Sequence, residues 1–232
     1  KEYVAAMRLG LVTDTQDITG EVLETHGTDG IGEDDVRRVL ASFVGETEQL
    51  PPMYSSVKVG GKKLYELARE GKTVERKTRK ITVYETEYLG TAAENEYKFR
   101  IACSKGTYIR TIIDDTGRAL GCGACMTSLR RTKANGFSLA DAVPLEEAEK
   151  LAGEGHIASV CRSSEGCFEN LGRCTVPENG LKFYLNGGSI GEKRLSDVTE
   201  RTELMRAYSE NGTFLGLCRL EEGEVKAVWK RI

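Results

Sequence analysis

Residues Tyr97 to Cys103 alternate like a β-strand, stop at the pair Lys105-Gly106, and give way to Thr107-Tyr108-Ile109-Arg110 at the head of a helical pattern. A strand that breaks on glycine and re-forms at once as a helix gathers a lysine, an aromatic and an arginine at one turn. Such a turn suits an anionic ligand that carries a planar base. Arginine offers a bidentate fork to phosphate, and lysine a point charge. A second block, Ser128-Leu129-Arg130-Arg131-Thr132, sets two adjacent arginines after an apolar strand.

Length and charge bound the class. The 232 residues can bury one large domain, or one plus a small one. Charged residues are 30%, and no apolar run approaches a membrane span, so no membrane is expected as a partner. No charged-then-apolar leader is visible, and the first residue is Lys1 rather than Met, which suggests that something upstream is lost or left out. Seven cysteines are an odd number for a disulfide framework; they are expected as reduced thiols in a cytoplasmic protein. Cys122-Gly123-Ala124-Cys125 has no second pair at metal spacing, and only His26 and His156 stand by, so neither a zinc site nor a redox dithiol is expected. The net charge of −3 is not that of a globally basic nucleic-acid binder, so a local concentration of charge must carry any such contact.

Along the chain, strands are expected over Tyr3 to Leu9, Glu21 to Thr25, Ile81 to Leu89, Glu96 to Cys103 and Met126 to Thr132. Helical spacing covers Asp34 to Phe43, Leu64 to Glu70, Thr111 to Leu120 (ending at Gly121) and Leu145 to Leu151. Asp14 to Gly20 is a polar loop in which Asp14 and Asp17 suit backbone capping. Asp114 and Asp115 sit in a predicted helix, where pairing with a nearby cation is the plain expectation. From Lys62 to Lys80 eight Lys/Arg stand against three Glu, interleaved with Tyr65 and preceded by Pro51-Pro52 and Tyr54, which reads as an exposed basic insertion over about 50–80. Leu171 to Ile232 reads as a compact β domain with turns at Asn186-Gly187-Gly188 and Asn211-Gly212.

Four motifs in order then carry a family resemblance: Leu9 to Gly20, Met53 to Arg69, Cys103 to Gly117, and Leu129 to Thr132. With them the chain resembles the tRNA pseudouridine synthase B (TruB) family over almost its whole length. The resemblance implies an α+β fold: a mixed, mainly antiparallel curved sheet flanked by helices, followed by a small C-terminal β-rich PUA-like domain. It divides the chain into a catalytic domain over 1–168, carrying the insertion, and an RNA-binding domain over 169–232. It implies conversion of T-loop uridine (position 55 in tRNA numbering) to pseudouridine, with no metal and no organic cofactor, on the T-arm of tRNA, by a monomer. Tyr3 matches the tyrosine that packs on the target uracil, and Arg130 the arginine paired with a nucleophilic aspartate. Lys105, Tyr108 and Arg110 match the motif that lines the site. Lys58, Lys62, Lys63, Tyr65 and Arg69 match an RNA-gripping loop, and Arg131 is grouped with the RNA contacts.

Two departures accompany the match. The family's aspartate sits in an Asp-Pro setting, and no Asp-Pro occurs in the 232 residues. The chain alone is therefore expected to be inactive, with the nucleophile on a truncated, cleaved or separate segment. Cys125 stands where many family members carry histidine. The alternative readings are a catalytically inactive tRNA-binding or remodelling module, and a chain kept for protein interaction.

Overall fold

The structure, a computed structural model, describes residues 1–230, so the last two residues of the expected C-terminal β domain lie outside it. The chain divides into two compact units, Lys1–Ala142 and Val143 onward.

In the first unit β1 (Glu2–Leu9) leads into a hairpin of β2 (Leu11–Thr13) and β3 (Val22–Thr25). Helix α1 (Glu33–Ser42) and strand β4 (Gly45–Gln49) follow. Three acidic residues in the first turn of α1 favour the positive end of the helix dipole. The insertion then holds a two-residue ladder, β5 (Lys58–Val59) with β6 (Lys62–Lys63), and the short helix α2 (Leu64–Arg69). Strands β7 (Arg79–Ala93) and β8 (Glu96–Cys103), helix α3 (Ile109–Leu120), β9 (Ala124–Ala134) and β10 (Phe137–Ser138) complete the unit.

Six strands form one sheet in the order β10-β9-β1-β8-β7-β4, antiparallel at every pairing. Alternation sets its faces. Ala5, Met7 and Leu9 of β1 are buried with Phe99 and Ile101 of β8, against Val36 and Leu40 of α1 and Ile112 and Ile113 of α3. Each large side chain buried there contributes about 1.5–3 kcal/mol. Helix α3 ends as expected on Gly121, whose φ of 76° is the left-handed conformation of a helix C-cap. Gly117 inside α3 has another reason: a Cβ there would lie 2.1 Å from the backbone nitrogen of Ala124, so glycine lets helix and strand touch.

Two strands outrun their expected lengths. β7 continues past Leu89 because Gly90, at φ 122°, absorbs a register shift against β8. β9 continues to Ala134 because β10 pairs with its end.

The second unit begins with α4 (Leu145–Gly153) and has a five-stranded sheet. Its elements are β11 (Arg173–Val176), α5 (Glu178–Leu185), β12 (Ile190–Gly191), β13 (Leu204–Ser209), β14 (Phe214–Glu221) and β15 (Glu224–Lys230), in the order β11-β13-β14-β15-β12. Only the β11–β13 pair is parallel among these. Its core joins Val176, Tyr184, Ile190, Met205 and Val225. Helix α5 lies in the segment read from sequence as a compact β-rich domain, where no helix is named. Pro177 precedes its first turn and Tyr184 buries against the sheet, while Gly180 hides the helical signal. Asn186-Gly187 thus closes a helix rather than joining two strands, whereas Asn211-Gly212 does turn β13 into β14.

Candidate active site and RNA interface

The start of β1 is stitched to the end of β8. The Lys1 amino group donates to the Cys103 carbonyl at 2.9 Å, and the Cys103 N–H donates to the Lys1 carbonyl at 2.8 Å. Residues 104–108 turn into α3 directly beyond this pair, so Tyr3 and the Lys105–Arg110 motif lie toward the same end of the sheet. The far half of β9 arrives at the same end. Its ladder sets Tyr3 opposite Arg131 and Val4 opposite Arg130. Paired residues share a face, so Arg131 stands on the face of Tyr3 and Arg130 on the other. Tyr3 is half-buried at the core's edge; both arginines are exposed, and neither side chain makes a hydrogen bond or ion pair among the described residues.

A bulge fixes this register. Between the pairs Glu2–Lys133 and Tyr3–Arg131, Thr132 is the extra residue on β9. Glu2 holds it: its carboxylate accepts from Thr132 Oγ1 at 2.8 Å, from Arg100 at 2.9 Å and from Lys133 Nζ at 3.2 Å. The Thr132 hydroxyl, helped by Lys133 and Arg100, lowers the Glu2 pKa against the opposing effect of burial. Arg100 also grips Glu85 and Glu87, each at 2.6 Å, and these partners raise its pKa.

The turn into α3 is organised by a residue that the sequence did not single out. Gln49, 3% exposed at the end of β4, accepts from the Tyr108 N–H at 2.8 Å and donates to the Tyr108 carbonyl at 3.0 Å. Tyr108 is the N-cap of α3 yet has no side-chain cap bond, so Gln49 does part of the capping from across the fold. Gly106, at φ 89°, makes the tight turn, and Lys105 beside it is exposed.

Arg110 spends its donors inward. Its two terminal nitrogens donate to the carbonyls of Thr15 (3.2 Å) and Tyr54 (2.8 Å). One helical turn on, the buried Asp114 accepts from Gln16 Nε2 at 2.9 Å and pairs with Arg118 at 2.7 Å, while Thr111 Oγ1 donates to Gln16 Oε1. Asp14 and Asp17 do cap the loop: Asp14 accepts from the Glu21 N–H and the Tyr54 hydroxyl, and Asp17 from the Thr19 N–H and hydroxyl. Burial, with Asp114 close by, raises the Asp115 pKa.

In the insertion, Lys63 and Arg69 flank the Tyr65 ring at 5.5 and 5.4 Å from its centroid. Lys62 and Lys72 share Glu70, at 3.4 and 2.7 Å. Lys58, Lys77 and Arg79 line a cavity of about 280 Å³ floored by Pro51 and Val57. Among the described residues no group of three or more His, Cys, Asp or Glu could hold a metal ion, and no helix is long and apolar enough to cross a membrane.

This combination defines the class: an α+β core with a half-exposed tyrosine and cationic strand at one sheet end, a basic insertion, and a small second β unit. The same fold occurs in the chain of a Cbf5-Nop10-Gar1 complex (TM-score 0.69, 23% identity, all of this chain and 65% of that one). It occurs too in an H/ACA RNP bound to a substrate RNA containing 2'-deoxyuridine (TM-score 0.67, 21% identity, 99% of this chain and 65% of that one). The particular family follows from sequence. Residues 1–109 match the TruB family pseudouridylate synthase (N terminal domain), and residues 110–170 the tRNA pseudouridylate synthase B C-terminal domain. The chain belongs to the TruB family. It is 39% identical over 223 residues to tRNA pseudouridine synthase B of Clostridium perfringens (strain 13 / Type A), covering 96% of this chain and 74% of that protein. Over 152 residues it is 51% identical to tRNA pseudouridine synthase B of Nitrosococcus oceani, covering 66% of this chain and 49% of that protein.

Proposed function

We propose that this chain binds the T-arm of tRNA and carries the uridine-handling part of an isomerase that converts T-loop uridine, position 55 in tRNA numbering, to pseudouridine. The observation that supports the reading best is that Tyr3 and Arg131 share one face at the end of the central sheet where the Lys105–Tyr108 turn begins, with Arg130 the adjacent residue of β9. A base buried in a folded loop must leave its stack before it can react. Tyr3 stacks on the extruded uracil, an interaction worth roughly 1–3 kcal/mol. The N1–C1′ bond breaks, the uracil turns, and a C5–C1′ bond forms; C5 gives up its proton and N1 gains one, so the atoms balance without a cofactor. Arg130 holds the nucleophilic aspartate ionised and oriented.

In this reading the nucleophile comes from outside residues 1–232. Asp14, Asp17 and Asp114 are occupied in capping and pairing, and Arg130 has no ion-pair partner among the described residues. Residues 1–232 alone then form no pseudouridine. Lys58, Lys62, Lys63, Tyr65, Arg69, Lys105, Tyr108 and Arg131 contact the RNA, mostly through phosphates, which position it without reading sequence. The small C-terminal unit adds a second RNA contact. The protein acts as a cytoplasmic monomer.

The test compares full-length protein with residues 1–232 on a T-arm transcript, reading pseudouridine by mass spectrometry and binding by titration. Both should bind and only the full-length protein should turn over. In the full-length protein Arg130→Ala should cut turnover on the order of a hundredfold or more, with a far smaller loss of affinity. Equal losses of both would reassign Arg130, and pseudouridine from residues 1–232 would place the nucleophile inside them.

A further inference from the structure

We infer that Arg110 is a positioning residue that fastens the RNA-gripping insertion and the 14–20 loop to the first turn of α3. The inference rests on the tRNA reading above. A sequence motif alone makes Arg110 a phosphate contact, but the geometry gives its fork to two main-chain carbonyls from separate segments, Thr15 and Tyr54. A guanidinium is built for this, since its planar donors reach two acceptors at once. The same loop and insertion are also tied together by the Tyr54 hydroxyl on Asp14 at 3.3 Å.

The neighbouring bonds make Arg110 part of a larger fastening. Thr111 and Asp114 hold Gln16 from the next positions of α3, so three side chains of one helix face secure the 14–20 loop. Gln49, last residue of β4 and the entry to the insertion, holds Tyr108 by both backbone groups. The insertion is therefore pinned to the α3 N-terminus on both sides of Pro51-Pro52: at Gln49 before them and at Tyr54 after them. Tyr108 heads α3 just beyond the strand that pairs with Tyr3. A shift of the insertion on RNA is carried to the uracil pocket through Arg110 and Gln49. Loss of the fork should loosen that geometry, and misplacement by about 1 Å costs on the order of a hundredfold in rate.

The experiment compares Arg110→Lys, Arg110→Ala and the pair Lys62→Ala/Lys63→Ala in the full-length protein, with a T-arm transcript. Each is measured for single-turnover rate at saturating RNA and for the dependence of binding on salt. A phosphate contact contributes about 0.7–0.9 to the salt slope. For a positioning role, both Arg110 variants keep the wild-type slope and lose about 10- to 100-fold in rate, and lysine does not rescue, because a single ammonium keeps the charge but not the two-point grip. Arg110→Lys at wild-type rate, with Arg110→Ala lowering the slope by about one contact, would overturn the inference and make Arg110 a phosphate ligand. If Arg110→Ala does not fold, Arg110→Lys decides alone: a wild-type rate overturns the inference and a loss of rate at unchanged slope supports it. Absence of salt-dependent binding in the wild type would sink the tRNA reading itself, which is a separate outcome.

Discussion

Gln49 and Tyr108, 59 residues apart, are joined by two hydrogen bonds, with the Gln49 amide pairing to the Tyr108 backbone as a neighbouring strand would. Both ends are sheltered, so removing the amide leaves the Tyr108 N–H without a partner, while the Tyr108 carbonyl keeps the N–H groups of Thr111 and Ile112. Gln49→Leu should therefore destabilise the first unit by about 1–3 kcal/mol in urea unfolding. An unchanged midpoint and slope would mean that water satisfies Tyr108 and that the side chain holds nothing in place.

Gly117 sets how closely α3 approaches β9. A methyl group there would meet the Ala124 nitrogen at 2.1 Å and the Gly123 carbonyl carbon at 2.3 Å, both backbone atoms without freedom to swing aside. Gly117→Ala is expected to cost about 1–3 kcal/mol or more by forcing helix and strand apart. Gly30, where a Cβ meets nothing within 4 Å but φ is 80°, is the control for backbone strain alone. Thermal melts of the two alanine variants separate steric cost from conformational cost; equal losses would remove the packing argument.

What was legible in the sequence follows the range of the interactions. The β8-turn-α3 unit could be read because periodicity, Gly106 and Gly121 are all local signals. Asp14 and Asp17 as caps could be read for the same reason. The inward use of Arg110 could not, because its acceptors lie 95 and 56 residues away and are main-chain atoms. Gln49 left no signal, since a lone glutamine before Pro51-Pro52 looks like a strand end. The two-arginine block was visible, but the bulge at Thr132 that assigns Arg131 to the face of Tyr3 depends on Glu2, 130 residues away. Helix α5 was masked by Gly180, whose Cβ would lie 2.8 Å from Ile190: a packing requirement reads in sequence as a helix breaker.

The thiols offer a direct check of burial. Cys103, Cys122, Cys125, Cys174 and Cys218 are buried, and desolvation pushes the Cys125 thiol up to about 11. A buried, protonated thiol is a poor nucleophile. Native protein should therefore release thionitrobenzoate from an aromatic disulfide reagent at Cys161 and Cys167 only, with all seven thiols reacting in denaturant. Rapid native labelling of Cys122 or Cys125 would show that the Cys-x-x-Cys segment opens.

Glu2 links the bulge to pH. Its folded pKa lies below the ordinary 4.5, chiefly through the Thr132 hydroxyl and then Lys133 and Arg100. A carboxylate depressed in the folded state binds fewer protons there than in the unfolded chain, so its contribution is complete above about pH 4.5 and is lost as the pH falls through the lowered value. Glu2→Gln keeps an acceptor for Thr132 but sets an amide against Arg100 and Lys133. Its melting temperature should fall short of the wild type at pH 7, and the gap should close as the pH drops below 4.5. A gap of constant size from pH 7 to pH 3 would mean that the glutamine disturbs packing, and that the charge of Glu2 does not hold the Thr132 bulge beneath Tyr3 and Arg131.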